Sequence, residues 1–280
     1  MAGLKLVLDY SGTLSLEATA FAKDGVLERQ LLVSGLAGFG VASPEAFWSN
    51  VVNPTWEEGS RTAIGYGRLI TEKISGEWNA ERKDASLAAL AKAARSFVAA
   101  YFSHSRIDPA WRPLLRELSG RPLVTTVVAT DHYAEATEAI KGHLADMGIN
   151  AVSLPGGDAV PGGGFYIANS ADLGFHKDEE EFWLRVRDFI PGVPGDRLLL
   201  VDDFGANETA GDDYGQEARV AGRRQRTAEL LAQVFAGPVE VMPFVLSGEE
   251  AVRGAEAGRL IGRIAVRIGE CLRERGGPHV

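Results

Sequence analysis

Apolar residues fall into two kinds of pattern along this chain. Short, largely apolar runs occur at Leu4–Leu8, which includes Lys5, at Leu123–Ala129, nearly all Val, Leu and Thr, at Leu198–Val201 and, more weakly, at Val239–Val245 around Pro243. Continuous runs of this kind, rather than alternating ones, suit strands buried on both faces of a parallel sheet. Elsewhere the apolar positions recur at helical spacing. Ala136, Ile140, Leu144 and Met147 predict a helix across Ala134–Met147, directly after the second run. The expected architecture is an α/β fold with a doubly wound, Rossmann-like parallel sheet.

Roughly a hundred residues separate the first two strands, far more than a crossover helix requires. That stretch reads as helical. Ser43-Pro44-Glu45 is a helix start, with Ser43 as the cap and Pro44 at the first helical position. Asn79–Tyr101 carries Leu87, Leu90, Ala94, Phe97, Val98 and Tyr101 at helical spacing. Residues 15–118 are therefore expected to form a helical cap domain, inserted into a core made of residues 1–14 and 119–245. The Gly/Pro-rich stretch Pro155–Gly164 is expected to be a connector. Residues 246–280 form a C-terminal helical extension with Leu260, Ile261, Ile264, Ile268 and Leu272 on one face. That face packs on the core or joins a second copy in a homodimer.

Composition narrows the function classes. Hydrophobic residues make up 45% of the 280 and charged residues 24%, the balance of an ordinary globular protein. A net charge of -9 argues against a general nucleic-acid binder, which presents a basic face to phosphates. One cysteine, Cys271, leaves no internal disulfide and no cysteine-based zinc site. No apolar run approaches the roughly 18–20 residues of a membrane span. The Leu4–Leu8 run is too short for a secretion leader and stops at Asp9, so a cytoplasmic location is expected. Gly162-Gly163-Gly164 lacks the spacing of a dinucleotide-binding turn, and no Walker-type phosphate loop occurs.

Three of the strand candidates end in polar or acidic residues: Asp9, Thr130 and the pair Asp202-Asp203. In open α/β sheets the carboxyl ends of the strands are where ligands bind. These residues, distant in sequence, are expected to converge there.

The segments around them resemble the four motifs of the haloacid dehalogenase (HAD) superfamily, in order. Asp9-Tyr10-Ser11-Gly12-Thr13-Leu14 resembles the nucleophile motif and Val127-Val128-Ala129-Thr130 the second. Ser170 to Lys177 resembles the third, and Leu200-Val201-Asp202-Asp203 with Asn207 the fourth. The insert after the first motif matches a cap of the helical type. The resemblance implies a hydrolase in which Asp9 attacks phosphorus to form an aspartyl-phosphate. It also implies Mg²⁺ held by Asp9, Asp202 and the main-chain carbonyl of Ser11. Thr130 would donate to a phosphate oxygen. Lys177 would neutralise charge and orient Asp9, with Asp203 holding the lysine. Asp131, His132 and Arg61 join Thr130 as candidate contacts to a small phosphorylated substrate. Trp56 and Tyr66 lie in the same insert segment as Arg61, and His176 precedes the lysine.

Ser11 departs from the pattern. Phosphatases of the superfamily usually carry a second Asp there, which protonates the leaving oxygen and then activates water. A serine hydroxyl titrates far above neutrality, and such help is worth roughly 10²–10⁴ in rate. Three readings follow: an Mg²⁺-dependent phosphohydrolase, a carbon–phosphorus or carbon–halogen hydrolase on the same Asp9, or a binding protein without turnover. The phosphonate-cleaving branch would need a cap lysine, for which Lys73, Lys83 and Lys92 are available.

Overall fold

Every residue of the strand β1 (Leu4–Leu8) is buried, including Lys5, whose ammonium pairs with Asp196. It is flanked by β2 (Val124–Thr130) and β5 (Arg197–Asp202) in a six-stranded sheet ordered β3-β4-β2-β1-β5-β6. The outer strands are β3 (Ala151–Ser153), β4 (Gly164–Asn169) and β6 (Val239–Pro243), and every pairing is parallel. The computed structural model describes residues 3–76, 80–156, 163–190, 196–208, 217–247 and 250–273.

The helices are α1 (Leu16–Phe21), α2 (Asp24–Ser34), α3 (Pro44–Phe47), α4 (Asn53–Gly59), α5 (Tyr66–Ser75), α6 (Ala80–His104), α7 (Arg112–Ser119), α8 (Glu135–Ala145), α9 (Ser170–Leu173), α10 (Glu180–Phe189), α11 (Glu217–Val234) and α12 (Glu250–Arg273). The first seven lie between β1 and β2, as the helical reading of the long interstrand gap predicts. Ser43 caps α3 by accepting from the Ala46 N–H at 3.2 Å. The turn then continues through a π-helical segment, Trp48–Val52, into α4. In α6 the predicted face is buried at Leu90, Ala94, Phe97 and Val98, whereas Leu87 is 40% exposed.

Side-chain alternation along the strands feeds two cores. Leu4, Leu6 and Leu8 join Ala136, Ile140 and Leu144 of α8 and Leu260, Ile261, Ile264 and Ile268 of α12. Val7, Val127, Leu198 and Leu200 join Phe182, Trp183 and Val186 of α10 and Leu230 and Leu231 of α11. The fold is thus a doubly wound α/β sheet. The apolar face of α12 lies on the first core, and Cys271 is buried with it.

The apolar runs do not mark β3 and β4. β3 is a half-buried edge strand of three residues. β4 mixes Tyr166 and Asn169 into a short run behind the glycines, so it reads as loop. β6 stops at Pro243, which has no N–H to extend a ladder. Most of the predicted connector, residues 157–162, lies outside the described residues, as do Asn79 and the last residues of the C-terminal extension, 274–280.

Candidate active site

The strand order reverses around β1, and the carboxyl ends of β1, β2 and β5 open on one edge. Asp9 follows the last residue of β1, Thr130 ends β2 and Asp202 ends β5. All three are buried and line one cavity, together with Ser11, Asp131, His132 and Asp203. Sequence separations of more than a hundred residues are closed here by the parallel register alone.

Lys177 enters from the loop between α9 and α10. Its ammonium contacts Asp9 Oδ1 at 2.6 Å and Asp202 Oδ2 at 2.8 Å, with all three side chains buried. The loop is pinned at both ends of that residue. The Lys177 N–H donates to Asp131 Oδ1 at 2.9 Å, and its carbonyl accepts from Trp183 Nε1 at 2.7 Å. Asp131, expected to touch substrate, therefore also positions the lysine backbone. The resemblance assigned the lysine to Asp203, but the carboxylate paired with it beside Asp9 is Asp202. Asp203 turns instead toward main chain, accepting from Gly205 N–H at 3.2 Å and Asn207 N–H at 2.9 Å.

That second role of Asp203 explains the glycine in the first motif. Gly12 sits at φ +76°, and a Cβ there would lie 2.5 Å from Asp203 Oδ2. The Asn207 amide closes the same loop by donating to the Gly12 carbonyl at 2.8 Å and the Phe244 carbonyl at 2.7 Å. Asp202 Oδ1 accepts from the Phe204 N–H at 2.6 Å, and Phe204 adopts φ +57°, a left-handed turn uncommon outside glycine.

Charge at this edge is unbalanced. The carboxylates of Asp9, Asp202 and Asp203 have oxygens within 4.8 Å of one another. Among the described residues one ammonium, that of Lys177, contacts them, which leaves two formal negative charges in a buried site. Burial pushes the Asp9 carboxyl well above its usual range, against the pull of Lys177 and with Asp202 and Asp203 adding to the rise. Burial, then Asp202 and Glu208, pushes Asp203 up to about 8. A divalent cation would supply the missing charge, and an all-oxygen donor set suits Mg²⁺.

Ser11 donates its hydroxyl to Glu208 Oε1 at 3.0 Å. Glu208 lines the cavity and was missed in the sequence, where it follows Asn207 with no motif to mark it. His132 is buried. Its Nδ1 accepts from the Tyr133 N–H at 2.8 Å, which leaves Nε2 to donate to the Tyr101 hydroxyl at 2.9 Å. Burial lowers its pKa to about 4, so the ring is neutral at pH 7.

Residues of the helices between β1 and β2 complete the cavity, among them Trp56 and Tyr66, the latter also packed in the core. Arg61 is not one of them. Its guanidinium reaches Glu57 and Glu179, both at 2.6 Å, and so ties the insert to the loop after Lys177. His176 makes a parallel link, its Nε2 lying 2.7 Å from the Ser60 hydroxyl. Lys73 and Lys92 do not line the cavity, and the Lys83 side chain lies outside the described residues.

No protein-family model and no curated protein matches the chain. Among solved structures it is similar to the HAD-hydrolase YfnB from Bacillus subtilis, determined with magnesium bound. The identity is 16% over 72% of this chain and 79% of that one, with a TM-score of 0.39. It is also similar to a 2-haloacid dehalogenase from Pseudomonas syringae pv. Tomato DC3000. There the identity is 19% over 77% of this chain and 84% of the other, with a TM-score of 0.46.

Proposed function

We propose that this chain is a HAD-type hydrolase that cleaves a small phosphomonoester through Asp9 with the help of Mg²⁺. The observation that carries the reading is the cluster of Asp9, Asp202 and Asp203 around the single ammonium of Lys177 at the carboxyl edge of the sheet. All four motif-like segments contribute to this neighbourhood: Asp9 and Ser11, Thr130, Lys177, and Asp202 with Asp203.

Asp9 and Asp202, with the Ser11 carbonyl, are the residues that would hold the cation. When bound, it draws charge from the phosphoryl oxygens and offsets the repulsion between two anions. Asp9 supplies the nucleophilic oxygen. That oxygen bonds to phosphorus as the ester oxygen leaves, and water then displaces the carboxylate to give inorganic phosphate. One water is consumed overall, its proton passing to the departing alcohol. Lys177 aims Asp9 and pulls its pKa down against the larger effect of burial, its ammonium held by Asp202 and its main chain by Asp131 and Trp183. Thr130, at the tip of β2, is within the cavity to donate to a phosphoryl oxygen.

The test is phosphate release from a panel of phosphomonoesters, with and without Mg²⁺, beside Asp9→Asn. Metal-dependent release that disappears in Asp9→Asn is the expected result. Silence from both the wild type and Ser11→Asp across the panel overturns the reading.

A second reading is hydrolysis of a carbon–halogen bond on the same Asp9. It is favoured by the predominance of apolar side chains around the cavity. Halide release in the presence of a chelator would separate it from the first.

A further inference from the structure

The cavity beside Asp9 has two unlike halves. The strand-end loops contribute carboxylates: Asp9, Asp131, Asp202, Asp203 and Glu208. The helices of the insert contribute rings. Phe21 of α1, Phe47 and Trp48 at the α3 turn, Trp56 of α4 and Phe97 of α6 face the same space, closed at the core side by Tyr133. No lysine or arginine is among the described residues that line it.

The rings brace one another. Phe97 packs on Phe47 at 4.9 Å between centroids and on Phe21 at 5.7 Å. Trp56 meets Tyr133 edge-on at 5.4 Å. Tyr133 stacks on Tyr66 at 3.9 Å with an interplanar angle of 6°. The Tyr101 hydroxyl on this wall is turned to His132.

We propose that this aromatic chamber selects the substrate, and that it takes a small, uncharged, apolar group such as a branched alkyl chain or a single ring. On the phosphohydrolase reading above, on which this rests, the substrate is the phosphate ester of an apolar alcohol. Sugar phosphates and nucleotides are poor fits. The hydroxyls of a sugar entering the chamber would lose water against a wall that is mostly rings, whose side-chain polar groups are those of Tyr66, Tyr101, Tyr133 and His132 and the indoles of Trp48 and Trp56. A second anionic group would meet five carboxylates, and the ammonium beside them, Lys177, is already engaged by Asp9 and Asp202. Size is limited as well: the whole cavity, its acidic half included, is about 100 Å³. A dry apolar cavity of roughly 150 Å³ takes up benzene, so a short branched chain is the appropriate scale and one small ring the upper limit.

The test pairs a reaction with a binding measurement on the full-length protein. Phosphate release is compared for 3-methylbutyl phosphate, glycerol 3-phosphate and phosphocholine, all esters of primary alcohols. The wild type is expected to favour 3-methylbutyl phosphate by at least about tenfold in kcat/KM, the scale of a few methylenes in an apolar pocket. Ala22→Leu, which fills the chamber from α1, and Trp48→Arg, which places a cation at its half-buried rim, are both expected to erase that preference. A preference for glycerol 3-phosphate or phosphocholine overturns the inference.

Uncharged 4-fluorobenzyl alcohol is titrated in parallel and read by fluorine NMR, which requires no turnover. Saturable binding to the wild type that is weakened in Ala22→Leu supports the chamber's role, even where no ester is hydrolysed and the phosphohydrolase reading has failed. No binding to the wild type overturns the inference, even where phosphate is released.

Discussion

Ser11 and Glu208 share a hydrogen bond of 3.0 Å across the mouth of the site, serine donating and carboxylate accepting. The position where the resemblance leads one to expect an acid is therefore occupied by a hydroxyl tied to a different acid. Ser11→Asp would set two carboxylates side by side, where like charges keep one of them protonated. Phosphate release in Ser11→Asp is expected to rise by up to about 10²-fold, the lower end of what acid–base help provides. Adding Glu208→Gln removes the neighbouring negative charge, which lowers the pKa of the new Asp. The alkaline limb of the kcat/KM profile, which reports the acid that protonates the leaving oxygen, should then move to lower pH than in the single variant.

Lys177→Met should be costly. Removing the ammonium strands Asp9 and Asp202 in a buried site, and breaking a buried ion pair from one side costs about 3–5 kcal/mol. Urea denaturation should show that loss together with loss of phosphate release. Lys177→Met combined with Asp202→Asn should recover part of the stability and none of the activity.

Metal binding can be read without turnover. Because burial holds the Asp9 and Asp203 carboxyls above their usual range, uptake of Mg²⁺ should release protons. Calorimetric titration in buffers of different ionisation enthalpy counts them. Mg²⁺ should also raise the melting temperature. The stabilisation is about 2.7 kcal/mol when the ion is at a hundred times its dissociation constant. Asp202→Asn should abolish both effects.

The insert is docked on the core through a contact that only glycine permits. A Cβ on Gly59 would lie 2.3 Å from Tyr133 Cε1 and 2.6 Å from Leu69 Cδ1. Gly59→Ala should cost about 1–3 kcal/mol by overpacking. Combined with Tyr133→Leu, the two changes should cost less than their sum in a double-mutant cycle.

His132 gives the fold a pH dependence with a definite sign. Its folded pKa of about 4 lies below the unfolded value of 6.5, so between those limits the unfolded chain binds more protons. Stability therefore falls as pH drops from about 6.5 to about 4, by about 3 kcal/mol from this residue, and this contribution is flat below that window. Chemical denaturation across the window, with His132→Gln subtracted, should isolate the slope.

The sheet and the acidic strand ends were legible because their signals are local. A largely apolar run ending at Asp9 or Asp202 states that a strand is buried and where it stops, whatever the rest of the chain does. Parallel pairing then brings Asp9, Thr130 and Asp202 to one edge. β3 and β4 escaped because three half-buried residues and a mixed run carry no period of their own. The choice of Asp202 over Asp203 at Lys177, the engagement of Arg61 with Glu57 and Glu179, and the approach of Glu208 to Ser11 are of another kind. So is the enclosure of a ring-lined chamber by helices far apart in the chain. Each depends on where a loop turns or how the insert rests on the sheet. The periodicity of a sequence records which face of an element is buried, but not which neighbour covers it. Only packing of the whole chain decides that, and with it what the site admits.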